Sequence, residues 1–577
     1  MSTAPAMPPS DYANALALPG PSAKGVAPAA WLMAGLLLLC LIPRTIAAWK
    51  LDTLCKDGVF YVELAEGFLR GDVEAGFGRL RLNTYPPILA LLHRCGLDWE
   101  QAAEGWGVLI SSLAVLPLFG WVRRQFDDRV AIAACFLYAV HPKFIEWSPE
   151  AIRDPTFWFF WNYSLYATWR AVTEVRVFWF AAAGAAITLA LHTRFEGWFL
   201  YLPLAWWAGC RCWSLVEGRW KIAWGTLIAL AVCPAMLLLV NVTLLHGYPK
   251  WELGNFSRLE YVTLWYQAIA KNSVSAPQAI PPRSTAVQET AASDVAQEAP
   301  PVEHQRAPAP QVERADVTMP RMSTGKTALV YLNALRRGVG ALFGISWLIG
   351  FFHWRQFWFR RDHLVLFLTS ICVGSGIWIH LWYAQATSSR YFLAIDVLAS
   401  ACAAVGWLKV CQALGWVVNR VRQGRAPARA AMAAVVLLTA CAGLGEAFTN
   451  RYTGRQRDAA LGRWLKEQSN SRPRLARRGS MELVDHYAGA LAAQLPADQA
   501  AAARLLADWR PTFVVASRRD APADEVESLC QAARPLGFEP VAESRLPPGF
   551  DWTDVLVMQQ SLDEPGLEVA SQANSKH

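Results

Sequence analysis

Residues 129–170 read RVAIAACFLYAV, then HPKFIEWSPEAIRD, then PTFWFFWNYSLYATWR. Each flanking run approaches the ~20 apolar residues that an α-helix needs to cross a hydrocarbon core. Between them His141, Lys143, Glu146, Glu150, Arg153 and Asp154 crowd into one joint. Ionisable groups at the mouth of apolar spans are expensive to hold there and usually functional. The stretch therefore predicts two membrane helices joined by a short polar segment that carries chemistry.

The same texture extends in both directions. Eleven apolar runs, near 30–49, 105–122, 129–146, 155–170, 177–192, 197–210, 222–245, 338–353, 363–384, 391–408 and 430–447, are candidate spans. The chain of 577 residues is 54% hydrophobic and 17% charged, below the roughly 25% charge of soluble proteins, and its 28 Trp suit membrane interfaces. The net charge of +8 lies in short clusters beside the runs and makes no continuous basic face, so no nucleic-acid partner is expected. Arg123/Arg124/Arg129, Arg170/Arg176, Arg211/Arg219/Lys221, Arg355/Arg360/Arg361 and Arg420/Arg422/Arg425/Arg429 fall on one side if the N-terminus is cytoplasmic. That agreement predicts an all-α polytopic protein of about eleven transmembrane helices in the plasma (inner) membrane.

The expected organisation is a disordered cytoplasmic segment 1–27, a membrane domain 28–447 and a small extracytoplasmic α/β domain 448–577. The run at 30–49 is long enough to stay as an anchor. Outside the membrane lie a first loop 50–104 and a loop whose portion 273–325, rich in Pro, Ala, Gln, Ser and Glu, reads as disordered. STGKT at 323–327 is not a phosphate loop, because Pro320 stands where the motif needs glycine. The 12 Cys show no metal-ligand spacing, and no metal or cofactor is predicted. A Cys55–Cys95 disulfide would require an oxidising exterior.

In the first outer loop Phe60, Leu64 and Phe68 recur at helical spacing, which predicts an amphipathic surface helix. Asp57 precedes it and has two open readings, a helix cap or a reacting carboxylate. Ser148-Pro149 and Asp154-Pro155 both look like capped helix starts. Arg194, with Glu196 in the next joint, and Arg390, with Tyr391 opening the tenth span, sit on the side from which the orientation rule excludes arginine. An arginine held there is suited to gripping a phosphate bidentately.

Taken in order, DGVFYVELAEGFLRGD, TYPPILALLHR, RRQFDDRVAIAACFLYAVHPKFIEWSPEAIRDP, TRFEGW and SSRYFLAI resemble the glycosyltransferase-C superfamily over roughly 30–450. The likeness is to its branch of dolichyl-phosphate-mannose protein mannosyltransferases and bacterial aminoarabinose transferases. It implies sugar transfer from a polyprenyl-phosphate donor to a glycan, lipid or protein acceptor at the outer face, with inversion at the anomeric carbon. In such proteins an acidic residue of the first outer loop is catalytic, and Asp57 occupies that place, with Glu150 and Asp154 as further candidate carboxylates. The resemblance also implies that Arg390, Arg194, Tyr391 and Arg153 meet the donor phosphate and that Tyr61, Tyr85, Glu196 and Lys143 contact substrate. Asp57 is followed by Gly58 where many members have Glu, and Tyr85 precedes Pro86-Pro87 where the aminoarabinose branch tends to have lysine. A transporter or flippase is the alternative class, but its midplane charges and broken repeats are not what the runs show.

Overall fold

The computed structural model describes residues 30–560 except 52, 79–81, 216, 245–323, 354–358, 385–387, 423–424, 450–452 and 470. Segment 1–27 and nearly all of 273–325 lie outside the described residues. The chain divides into two compact units, which among the described residues comprise 30–459 and 460–560.

The first unit is helical. It opens with α1 (Ala30–Trp49), followed by α2 (Lys56–Leu69), α3 (Val73–Phe77) and α4 (Tyr85–Arg94) of the first loop. Then come α5 (Trp99–Leu113), α6 (Val115–Gln125), α7 (Asp128–Val140), α8 (Pro142–Trp147) and α9 (Asp154–Glu174). Next are α10 (Val177–Leu191), α11 (Tyr201–Ser214) and α12 (Arg219–Leu244). The unit continues through α13 (Thr324–Val339), α14 (Ala341–His353), α15 (Arg361–Ala384), α16 (Leu393–Arg422) and α17 (Arg425–Ala447). Every apolar run of the sequence coincides with one helix or with a helix broken once. Six described helices are long and apolar enough to cross a membrane, or up to seven if α13 and α14, bent by 92° at Gly340, form one span. The structure thus supports a multi-spanning bundle, and Thr324–Thr327 of the STGKT stretch form the first turn of α13.

Local chemistry explains the boundaries. Asp127 caps α7 by accepting the Val130 N–H at 2.8 Å, and His141-Pro142 ends it because Pro142 has no N–H to continue the ladder. Small residues set the tightest helix contacts, as expected where apolar burial alone gives no preference between lipid and protein. On α14 and α16, a Cβ at Gly350 would overlap the Cys402 carbonyl and one at Gly406 would overlap the Ser346 carbonyl. Gly184 of α10 meets the Ala229 backbone of α12 in the same way.

The surface helix departs from expectation. Its buried residues Val59, Tyr61, Val62, Leu64 and Ala65 spread around much of α2, which packs on α4 rather than presenting one stripe of Phe60, Leu64 and Phe68. Cys55 and Cys95 are both free, Cys55 buried and Cys95 exposed.

The second unit holds a five-stranded sheet. Its strands are β1 (Arg474–Arg478), β2 (Leu491–Gln494), β3 (Phe513–Ser517), β4 (Phe538–Pro540) and β5 (Val555–Gln560), ordered β2-β1-β3-β5-β4. β1 is parallel to β2 and β3, while β5 is antiparallel to β3 and β4. Leu461, Leu465, Phe513 and Trp552 bury one face, and Leu506, Val514, Leu529 and Met558 the other. All five residues of β3 are buried, as a central strand covered on both faces requires.

Gly406→Val should lower the thermal unfolding midpoint, because overpacking a close contact costs about 1–3 kcal/mol. Gly445→Ala, which has open space around the new Cβ, serves as control and should leave it unchanged in the same detergent.

Candidate active site

The polar joints of the first unit come together at one end of its helices. Asp57 stands in the first turn of α2, where the free N–H groups favour negative charge. It does not cap the helix. Cys55 is the N-cap, its Sγ accepting the Gly58 N–H at 3.3 Å. The Asp57 carboxylate is 43% exposed and pairs instead with the Arg390 guanidinium, 333 residues away. Gly58 is packed against the 148–153 joint: a Cβ there would lie 2.6 Å from the Ala151 Cβ. No side chain, acidic or otherwise, fits beside Asp57 without moving that joint.

Arg390 sits on the 3-10 turn Ser389–Phe392, with its guanidinium 5.6 Å from the Trp147 ring and 5.6 Å from the Tyr391 ring. Its Nε and the Trp147 Nε1 are buried donors with no hydrogen-bond partner among the described residues.

Arg194, expected at the donor phosphate, is engaged on two sides by carboxylates. It pairs with Asp154 and makes a bidentate contact to Glu196, at 3.2 and 2.6 Å. Its guanidinium also lies 4.8 Å from the Tyr391 ring. Arg194 and Asp154 are almost wholly buried, so the guanidinium works as a brace joining the 154 and 194–196 joints to the Arg390 turn. Neither Ser148 nor Asp154 is the N-cap of a helix; Ser148 instead ends α8 as its C-cap. Residues 148–153 are irregular, and the helix at Asp154 has no side-chain cap because that carboxylate faces Arg194.

The remaining expected residues are spread around this core. Glu150 is buried and bound to Arg455 at 2.6 Å; burial pushes its carboxyl up and Arg455 opposes the shift. Tyr61 meets Tyr85 edge-on at 5.2 Å. Burial raises the Tyr61 phenol, while Arg153, among the nearby charges, favours its ionised form. Tyr85 is fully buried and its hydroxyl has no partner among the described residues, so it forms an inner wall. Lys143 is turned to Glu146 at 2.6 Å on α8. Thr84 and Thr193 bond through their hydroxyls at 2.6 Å, tying the Tyr85 and Arg194 segments together.

Three participants were not singled out from the sequence. Arg44 is fully buried in α1, and as a charge inside an apolar run it was visible. Arg455 lies 305 residues from Glu150 and gave no local sign. Asp396 is buried in the first turn of α16, 3.9 Å from His141, whose Nε2 reaches the Val339 carbonyl at 3.1 Å where α13 ends.

The family model for dolichyl-phosphate-mannose-protein mannosyltransferase matches residues 87–238. No curated protein matches the chain. Among solved structures, ArnT from Cupriavidus metallidurans in the apo state is similar with a TM-score of 0.53 at 14% identity, over 92% of this chain and 97% of that one. The same protein bound to undecaprenyl phosphate gives 0.50 at 14% identity, over 93% and 99%. The Archaeoglobus fulgidus oligosaccharyltransferase in complex with Zn and sulfate gives 0.51 at 13% identity, over 89% and 72%. At these identities the likeness is one of fold, and it agrees with the resemblance to the glycosyltransferase-C superfamily read from the motifs.

Arg194→Met should cost roughly 3–5 kcal/mol, because it leaves the buried Asp154 carboxylate without its arginine. Adding Asp154→Asn should recover part of that loss; thermal unfolding of both variants in one detergent measures it.

Proposed function

We propose that this chain is a membrane glycosyltransferase that moves a sugar from a polyprenyl-phosphate donor to an acceptor hydroxyl or amine. The reading places the site at the outer face of the inner membrane, the N-terminus in the cytoplasm and the unit beyond 460 outside. The observation that carries it is the Asp57–Arg390 pair: a part-exposed carboxylate and a largely buried guanidinium meet at the end of a helical bundle, beside two N–H donors with no partner among the described residues. The fold likeness and the partial family match support the same class.

In this mechanism the acceptor O–H or N–H attacks the anomeric carbon from the side opposite the phosphate. The carbon–oxygen bond to the phosphate breaks, its electron pair stays on the phosphate, and the acceptor proton passes to Asp57 as general base. Displacement of this kind inverts the anomeric centre. Arg390 stabilises the leaving phosphate, and its Nε with the Trp147 Nε1 supplies donors that have no other partner among the described residues.

The donor phosphate competes with Asp57 for the same guanidinium. A bound phosphate draws Arg390 away and leaves the Asp57 carboxylate free to accept a proton. Arg194 is a poor second phosphate ligand because Asp154 and Glu196 already occupy it, so its proposed role is to hold Tyr391 and the Arg390 turn. Asp154 and Glu150 are likewise matched by arginines, which leaves Asp57 as the carboxylate with most access. Tyr61 and Arg153 line the approach to it.

The test incubates purified protein with radiolabelled polyprenyl-phosphate mannose, glucose and aminoarabinose and follows release of the polyprenyl phosphate. Asp57→Asn keeps the side chain's shape but cannot take the proton, so turnover should fall by roughly 10²–10⁴ with normal thermal stability. Near-normal turnover by that variant removes Asp57 from the mechanism.

A further inference from the structure

Arg44 lies five residues before the end of α1, where an arginine ordinarily extends its head group to the membrane surface. This one is wholly buried. Its surroundings explain how the charge is tolerated. Proline at 142 leaves the Tyr138 carbonyl without its helical donor, and the Lys143 N–H is taken by the His141 Nδ1 at 3.2 Å, which frees the Ala139 carbonyl. Arg44 donates to both, at 3.3 and 3.4 Å, and to the Cys40 carbonyl at 3.0 Å. The guanidinium also lies 4.8 Å from the Tyr138 ring.

Capping α7 accounts for the two terminal nitrogens and not for the third. The Arg44 Nε donates to the Ser148 Oγ at 3.1 Å, and that hydroxyl in turn donates to the Phe144 carbonyl. Ser148 opens the irregular stretch 148–153, whose backbone has no helix to fix it. Two glycines confine the stretch from other sides. A Cβ at Gly107 of α5 would overlap the Ser148 carbonyl, and one at Gly58 of α2 would press on Ala151. Within and just after the stretch lie Glu150, Arg153 and Asp154, and Gly58 is the neighbour of Asp57.

We infer that Arg44 is a positioning residue: through Ser148 it fixes the 148–153 joint, and through the joint the placing of Asp154, Arg194 and Asp57. It touches no reacting atom. The inference rests on the proposed site for its link to turnover, while its structural half can be measured without substrate.

Arg44→Lys keeps the charge and can still reach a carbonyl, but it loses the forked geometry that spans α7 and Ser148. Ser148→Ala removes only the hydroxyl. Both variants, the double variant and Asp57→Asn are compared with wild type in lipid nanodiscs. Amide hydrogen exchange is read peptide by peptide. Turnover and KM are measured with the panel donor that wild type cleaves fastest.

Exchange at 148–153 should rise in both single variants and rise no further in the double. Turnover should fall about tenfold in each with KM nearly unchanged, and the two losses should not multiply, since displacing a reacting group by a fraction of an ångström acts on the chemical step. Unchanged exchange at 148–153 in Ser148→Ala and Arg44→Lys, with any change confined to 138–141, would reduce Arg44 to a helix cap and overturn the inference. So would multiplying losses. If Arg44→Lys does not fold, Ser148→Ala decides alone. Full turnover by Asp57→Asn would sink the proposed site and leave the exchange result to judge Arg44.

Discussion

A charge removed from water near a bilayer must find a partner of opposite sign or a set of dipoles, because the cost of leaving it alone exceeds that of most single packing errors. The candidate site follows from that constraint. Asp57 answers to Arg390, Asp154 and Glu196 to Arg194, Glu150 to Arg455, and Arg44 to four oxygens. Apart from Arg194 with Glu196 and Arg44 with the Cys40 carbonyl, which are near neighbours in sequence, these pairings join segments far apart in the chain. The ends of at least six helices are thereby fixed to one another by charge, while the glycine contacts at 350, 406 and 184 fix their middles by shape.

The arrangement separates two kinds of ion pair. Arg194 with its two carboxylates is buried on both sides and saturated, which suits a rigid support. Asp57 with Arg390 is open on the carboxylate side and, among the described residues, has unpartnered donors on the other, which suits an exchange of partners. A site built only of the first kind would be stable and inert. One built only of the second would be poorly placed, since nothing would hold its members when the pair opens.

What the sequence made legible was whatever depends on neighbours in the chain. Apolar length located each helical run, and the expectation that arginine is disfavoured on one side of the membrane picked out Arg194 and Arg390. Partner choice was not legible, because it depends on tertiary contact. Asp57, Ser148 and Asp154 each looked like helix caps by local pattern. In the fold a distant arginine outbids the nearby N–H groups for all three, and Cys55 takes the cap that Asp57 leaves. Gly58 is similar: the sequence showed a departure from the acidic pair of the resembling family, and only the nearness of Ala151 supplies the reason.

The 333-residue separation of Asp57 and Arg390 also has a meaning in time. Helices of a membrane protein enter the bilayer in the order in which they are made, so the first loop is complete long before the turn that bears Arg390 exists. At a synthesis rate of about 5–20 residues per second, the carboxylate waits roughly 15–70 seconds for its partner. Through that interval Asp57 stays at the water-facing edge, where an unpaired charge is cheap, while Asp154 gains Arg194 only 40 residues later. Asp57 thus waits far longer than Asp154 and is the more exposed of the two, whereas Glu150, buried as deeply as Asp154, waits 305 residues for Arg455.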